Sequence, residues 1–150
     1  MSNGRKHDRA GRSKREPRHV RLYHALLKSD AWAGLDCVAR AAYVELLDRY
    51  GGPGSNNGRI PMSERELADK LNVSRATAHR ALDRLIVRGF IEQTRKGAFS
   101  VKDRQASTWR VMEFMCDATG DLSRPPWKEK NTASQVYPYG QRHEARRATS

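Results

Sequence analysis

The stretch SERELADKLNVSRATAHRALDRLIVRGF, residues 63–90, leaves this chain little choice of local structure. Ser63 and Glu66 stand at S-x-x-E spacing, in which each side chain accepts the other residue's backbone N–H, so a helix start is expected there. Leu67, Ala68 and Leu71 then recur on one side. Asn72 tolerates the left-handed backbone of a tight turn. Val73 is placed to pack beneath that turn, and Ser74 to cap a second helix. This helix is expected to run to about Arg88, with Gly89 at the left-handed stop. Steps of about 100° per residue put Ala78, Ala81, Leu82, Leu85 and Ile86 in one buried stripe. Ala76, Thr77, Arg80, Arg84 and Val87 fall on the far side, and Arg75 and His79 on the flanks. The rest of the chain must anchor one face of that second helix and leave its cationic face outward.

The flanking segments supply the anchor. In VRLYHALLKSDAW, from residue 20, Leu22, Ala25 and Leu26 have helical spacing, and Ser29-Asp30 break the run and cap a short turn through Trp32. Asp36 is an N-cap for a helix with Ala39, Tyr43, Leu46, Leu47 and Tyr50 on its buried side, stopping at Gly51. GGPGSNNG, 51–58, is turn chemistry throughout. It is no phosphate loop, because no Gly-Lys-Ser/Thr follows and no helix opens from it. RIPM offers a short strand, at an edge because Pro61 has no N–H to donate. After Gly89 the period changes: FIEQTR and TWRVMEF suit strands, with Trp109 and Val111 on one face and Arg110 on the other. Between them KGAFSVKDRQAS is a basic loop. The expected fold class is mainly α with a small antiparallel β-hairpin wing.

Charge then narrows the partners. The chain has 29 Lys+Arg against 17 Asp+Glu, a formal net charge of +12, which suits a polyanion. The excess sits at the ends. Residues 1–18 lack apolar periodicity and read as a disordered basic arm that can lie along nucleic acid. Residues 19–120 form the expected domain. Residues 121–150 read as a flexible polar and basic tail beginning about Pro125-Pro126, with VYPYG as a short docking segment. Cys37 and Cys116 have neither disulfide nor metal-ligand spacing, suit a reducing cytoplasm, and read as packing residues. No apolar run reaches spanning length and no signal peptide is visible, so no membrane partner is expected.

A helix anchored on one face and rich in arginine on the other fits the B-DNA major groove, about 12 Å wide. Residues 59–114 resemble a winged helix-turn-helix, similar to the DNA-binding domains of GntR-type and MarR-like bacterial regulators. SRATAHRALDRLIVRGFIEQTRKGAF is similar to the recognition helix and first wing strand of the GntR type. NNGRIPMSERELADKLNVS and KGAFSVKDRQASTWRV look more like small helix-turn-helix proteins of plasmids, prophages and mobile islands. The resemblance implies DNA contacts by Ser74, Arg75, Ala76, Thr77, His79, Arg80 and Arg84 of the recognition helix. It implies wing contacts by Arg95, Lys96, Lys102 and Arg104, and contacts by Ser63 and Arg65 at the start of the first helix. His79 stands where GntR-type domains often carry Arg, which leaves the base preference open, and by itself reads as a partly exposed neutral histidine. The GntR effector domain is absent, so no small-molecule effector and no cofactor are implied.

The resulting expectation is a sequence-specific binder of double-stranded DNA, a bacterial transcriptional regulator acting in the cytoplasm on the nucleoid, with a homodimer on a repeated site as a possible arrangement. The alternative is a plasmid or phage replication or partition factor on origin repeats. An RNA-binding module fits less well, since the aromatics form no stacking platform. An enzyme is not expected: His7, His19, His24, His79 and His143 are scattered, no nucleophile has a visible base, and no metal-ligand set stands out.

Overall fold

A computed structural model describes residues 18–100 and 103–128, and the side chains at 99, 100, 103 and 104 lie outside that description. The basic arm up to residue 17, Lys102, the side chain of Arg104 and the tail beyond 128 with its VYPYG segment therefore lie outside the described residues.

Two short helices lead in, α1 (His24–Leu27) and α2 (Asp30–Ala33). Ser29 Oγ accepts the Trp32 N–H at 3.1 Å and caps α2. The lead-in helix begins later than the spacing suggests: Leu22 lies before it and is exposed, Ala25 is exposed, and only Leu26 is buried. A single turn has room for one inward residue, so three apolar positions within five cannot all reach the core.

Helix α3 (Cys37–Arg49) is capped by Asp36, whose Oδ1 accepts the Ala39 N–H at 2.7 Å. It buries Ala39, Ala42, Tyr43, Leu46 and Leu47. Cys37 opens this helix on its exposed side and is not a packing residue, whereas Cys116 is buried. Helix α4 (Glu64–Leu71) and helix α5 (Arg75–Val87) follow, joined through Asn72 at φ 53°, ψ 47°. That left-handed conformation turns the chain within a few residues, and asparagine takes it at low cost. Helices α3, α4 and α5 pack on one another. Ala78, Ala81, Leu82 and Leu85 of α5 are buried, but Ile86 is 37% exposed. It lies about 100° beyond Leu85, at the rim of the stripe.

A three-stranded antiparallel sheet closes the other side, in the order β1 (Ile60–Pro61), β5 (Thr108–Val111), β2 (Ile91–Arg95). Pro61 is on the edge strand, as its missing N–H requires. Trp109 pairs with Ile60 on one side and Gln93 on the other, and its Nε1 donates to the Met62 carbonyl at 2.8 Å. The segment expected to be a basic loop carries a second hairpin, β3 (Ala98–Ser100) with β4 (Asp103–Gln105). The fold is thus mainly helical with a small antiparallel sheet and a hairpin arm, a winged helix-turn-helix.

Trp32, Tyr43 and Phe90 pack edge-on or tilted at 5.3–6.1 Å between centroids at the centre of the core. Trp127 lies on Phe90 at 6.0 Å. Pro125 is buried, and the Arg124 N–H donates to the Met112 carbonyl at 2.8 Å. The flexible tail expected from residue 121 therefore does not start there, because residues 124–127 are held against the body. Two prolines that read as a boundary instead stiffen a strap that brings an aromatic ring back to the core.

Candidate nucleic-acid interface

The outward face of α5 is built from its cap onward. Ser74 Oγ accepts the Thr77 N–H at 3.1 Å and meets Thr77 Oγ1 at 2.8 Å. Arg80 Nη2 donates to the same Thr77 Oγ1 at 3.3 Å. A cap that is needed for the helix start thus begins a line of polar groups running nearly two turns along the exposed side. Ser74, Arg75, Ala76, His79 and Arg80 are exposed and Thr77 is half-buried. Ala76 keeps the surface between the arginines low, so the helix backbone can approach a partner closely.

The flank facing α4 is organised by Glu64, the first residue of that helix. Its Oε2 accepts from Arg75 Nε at 3.2 Å, and its Oε1 lies 2.8 Å from His79 Nδ1. Partial burial would raise this carboxyl, but the His79 and Arg75 contacts outweigh it and hold the group below the usual glutamate range. The other ring nitrogen of His79 lies 3.2 Å from Asp83 Oδ2. His79 is therefore an exposed ring bridging two carboxylates.

Arg84 is placed differently from its neighbours. It forms an ion pair with Asp36, the same residue that caps α3, and is only partly exposed. It turns inward to tie α5 to α3 instead of standing free on the far side. Helical spacing does put it beside Arg80, but a partner at the cap of another helix, far upstream at Asp36, is not visible in that spacing.

At the start of α4, Ser63 Oγ accepts the Glu66 N–H at 3.1 Å, and Arg65 is exposed. The expected reciprocal bond is not formed: the Glu66 carboxylate pairs with Arg49, whose Nη1 donates to the Pro61 carbonyl at 2.6 Å. Only the serine half of the capping box is made. The stronger charge-assisted partner takes the carboxylate.

On the wing, Arg95 and Lys96 are exposed at the end of β2, and Arg104 is in β4 opposite Phe99. Ser107 Oγ accepts from Gly97 N–H at 3.0 Å and Gln93 Nε2 at 3.1 Å, closing the root of the arm. Arg110 lies on the sheet face opposite Trp109, as the alternation suggests, yet it is 6% exposed. It pairs with Glu92 at 3.3 Å and donates to the Leu122 carbonyl at 2.8 Å, so it belongs to the fold.

Sequence reading missed Glu64 as an organiser of this surface. The sequence signal is only an acid in the first turn of α4 with the apolar Leu67 and Ala68 three and four residues on, and its partners come from α5. The assembled surface offers hydroxyl, guanidinium and imidazole groups along a capped helix start, all suited to phosphate oxygens and base edges. Among the described residues, no three His, Cys, Asp or Glu are grouped to hold a metal ion, and no helix is long and apolar enough to cross a membrane.

The family model of the Crp-like helix-turn-helix domain matches residues 20–106, more than half of the chain. No curated protein and no solved structure matches it.

Proposed function

Since the chain belongs to the Crp-like helix-turn-helix domain family, we propose that it is a bacterial transcriptional regulator that reads double-stranded DNA by sequence. In this reading α5 lies in the major groove. Arg75, His79 and Arg80 face base edges, while Ser74, Ala76 and Thr77 form the close-approach surface and bond phosphate. Ser63 and Arg65 hold the adjoining backbone. Arg95, Lys96, Lys102 and Arg104 grip the phosphates or the minor groove beside the site. Arg84 acts from within, keeping α5 docked on α3.

The observation that carries this reading is the line Ser74–Thr77–Arg80 on a helix whose opposite face is buried. A helix held that firmly presents its donors at fixed spacing, which is what base reading requires. The basic residues 1–18 add contacts that do not depend on sequence. Two copies on a repeated site would double the footprint. The protein acts where the nucleoid is, in the cytoplasm.

Selection of bound fragments from a random duplex library, repeated at two salt concentrations, tests the reading. One enriched motif that persists at the higher salt is expected. Steeply salt-dependent binding with no enriched motif would contradict it, since phosphate contacts release counterions without reading bases. Mapped onto genomic DNA, sites at promoters mark regulation, and iterated repeats at an origin would mark a replication factor instead.

A further inference from the structure

We propose that Glu64 is a positioning residue for base recognition: its single carboxylate sets the side chains of Arg75 and His79 before DNA arrives. The inference rests on the reading of α5 as the recognition helix. One oxygen takes Arg75 Nε at 3.2 Å and the other takes His79 Nδ1 at 2.8 Å. These two residues are one helical turn apart on α5, and the carboxylate that spans them comes from a different helix.

The geometry leaves the working end of Arg75 outward, while the second ring nitrogen of His79 faces Asp83 Oδ2 at 3.2 Å. Arg75 is engaged through Nε alone, and among the described residues its Nη1 and Nη2 have no protein partner. Its side chain is 75% exposed. A guanidinium fixed at Nε keeps two parallel donors, the arrangement that matches O6 and N7 of guanine. A free arginine would lose rotamer entropy on binding and would reach the nearest phosphate as readily as a base. The tether offsets both effects. Glu64 also places a negative charge on the surface that meets DNA, which weakens binding at any site where Arg75 and His79 do not find their base partners.

Stability does not explain the arrangement. Both partners of Glu64 are more than half exposed, and exposed ion pairs of this kind add little to folding.

The test compares the full chain with Glu64→Ala, Glu64→Asp, Arg75→Ala and Glu64→Ala/Arg75→Ala, each measured on the selected duplex and on a scrambled duplex, with a thermal melt as a folding control. Glu64→Ala is expected to lower the ratio of selected to scrambled affinity about tenfold, a typical loss for one misplaced base contact. Most of that loss is expected to vanish in the Arg75→Ala background, because the carboxylate acts through the arginine. Glu64→Asp keeps the charge but is one methylene too short to span both partners, and is expected to lose the ratio as well. An unchanged ratio in Glu64→Ala, strict additivity with Arg75→Ala, or a full ratio in Glu64→Asp would each overturn the proposal. A wild-type chain with no preference for the selected duplex would remove base reading altogether. A wild-type preference kept by every Glu64 variant would remove only the role of Glu64.

Discussion

Asn57 sits with 0% exposure in a stretch whose composition reads only as turn. Its Nδ2 lies within hydrogen-bond distance of the carbonyls of Val111, Phe114 and Met115 at 3.0–3.2 Å, and its Oδ1 accepts the Val111 N–H at 2.8 Å. Its own N–H goes to Asp117 Oδ2 at 2.8 Å. The side chain therefore finishes the backbone bonding of the chain leaving the sheet. Asn57→Ala leaves the buried Val111 N–H without its acceptor and takes the amide donors from the three carbonyls, and is expected to cost about 3 kcal/mol in urea unfolding. A cost below about 1 kcal/mol would mean that the segment rebonds without it. The asparagine was legible as a turn former. Its burial was not, because every partner lies more than fifty residues downstream. Glu113 gives a pH-dependent case. It accepts the Tyr43 hydroxyl at 2.9 Å, and burial raises its carboxyl above the usual range, outweighing the Tyr43 bond and the Lys128 charge. A group raised in the folded state contributes its stability below its unfolded pKa and loses it as pH rises through the folded value. Glu113→Gln keeps an oxygen for Tyr43 and carries no charge. It is expected to melt higher than wild type at pH 7, with the difference closing as the pH falls below the glutamate range. A lower melting temperature at pH 7 would contradict this.

Among the elements, α4 and α5 are the most legible, since caps, turn and stop all lie within a few residues of one another. Ser63, Asn72, Ser74 and Gly89 take the roles their residue types imply. Legibility ends where a contact crosses elements. Glu66 answers Arg49, Arg84 answers Asp36, and Glu64 answers two residues of α5. The arm shows the same limit: β3 and β4 have three residues each, too few for alternation to register in sequence. Its root has little space. A Cβ on Gly97 would stand 2.9 Å from the Gln105 carbonyl oxygen and 3.0 Å from the Ser107 nitrogen, both backbone atoms. Gly97→Ala must therefore shift the arm. It is expected to weaken binding to selected and scrambled duplexes by the same several-fold factor, with the melting temperature nearly unchanged. Loss confined to the selected duplex would place base reading in the arm.

At the scale of the whole molecule, the helical body and the strap 124–127 form one packed unit. The strap was not legible because Pro-Pro and the polar residues around it carry the composition of a linker, while a single tryptophan supplies the attachment. Trp127 is half-buried against Phe90. Trp127→Ala is expected to cost about 2 kcal/mol, below the range for a fully buried ring, measured by urea unfolding; no change would detach the strap from the core. The formal charge of +12 draws the molecule toward any polyanion, so affinity alone says little about what it reads. The central claim is that α5 reads bases, and Arg80 is the residue to test. The measurement is the affinity of wild type and Arg80→Ala for the selected duplex and for a scrambled duplex of the same length, at one fixed salt concentration. The account predicts a loss of about 1–3 kcal/mol on the selected duplex and little on the scrambled one. Equal losses on both would contradict it.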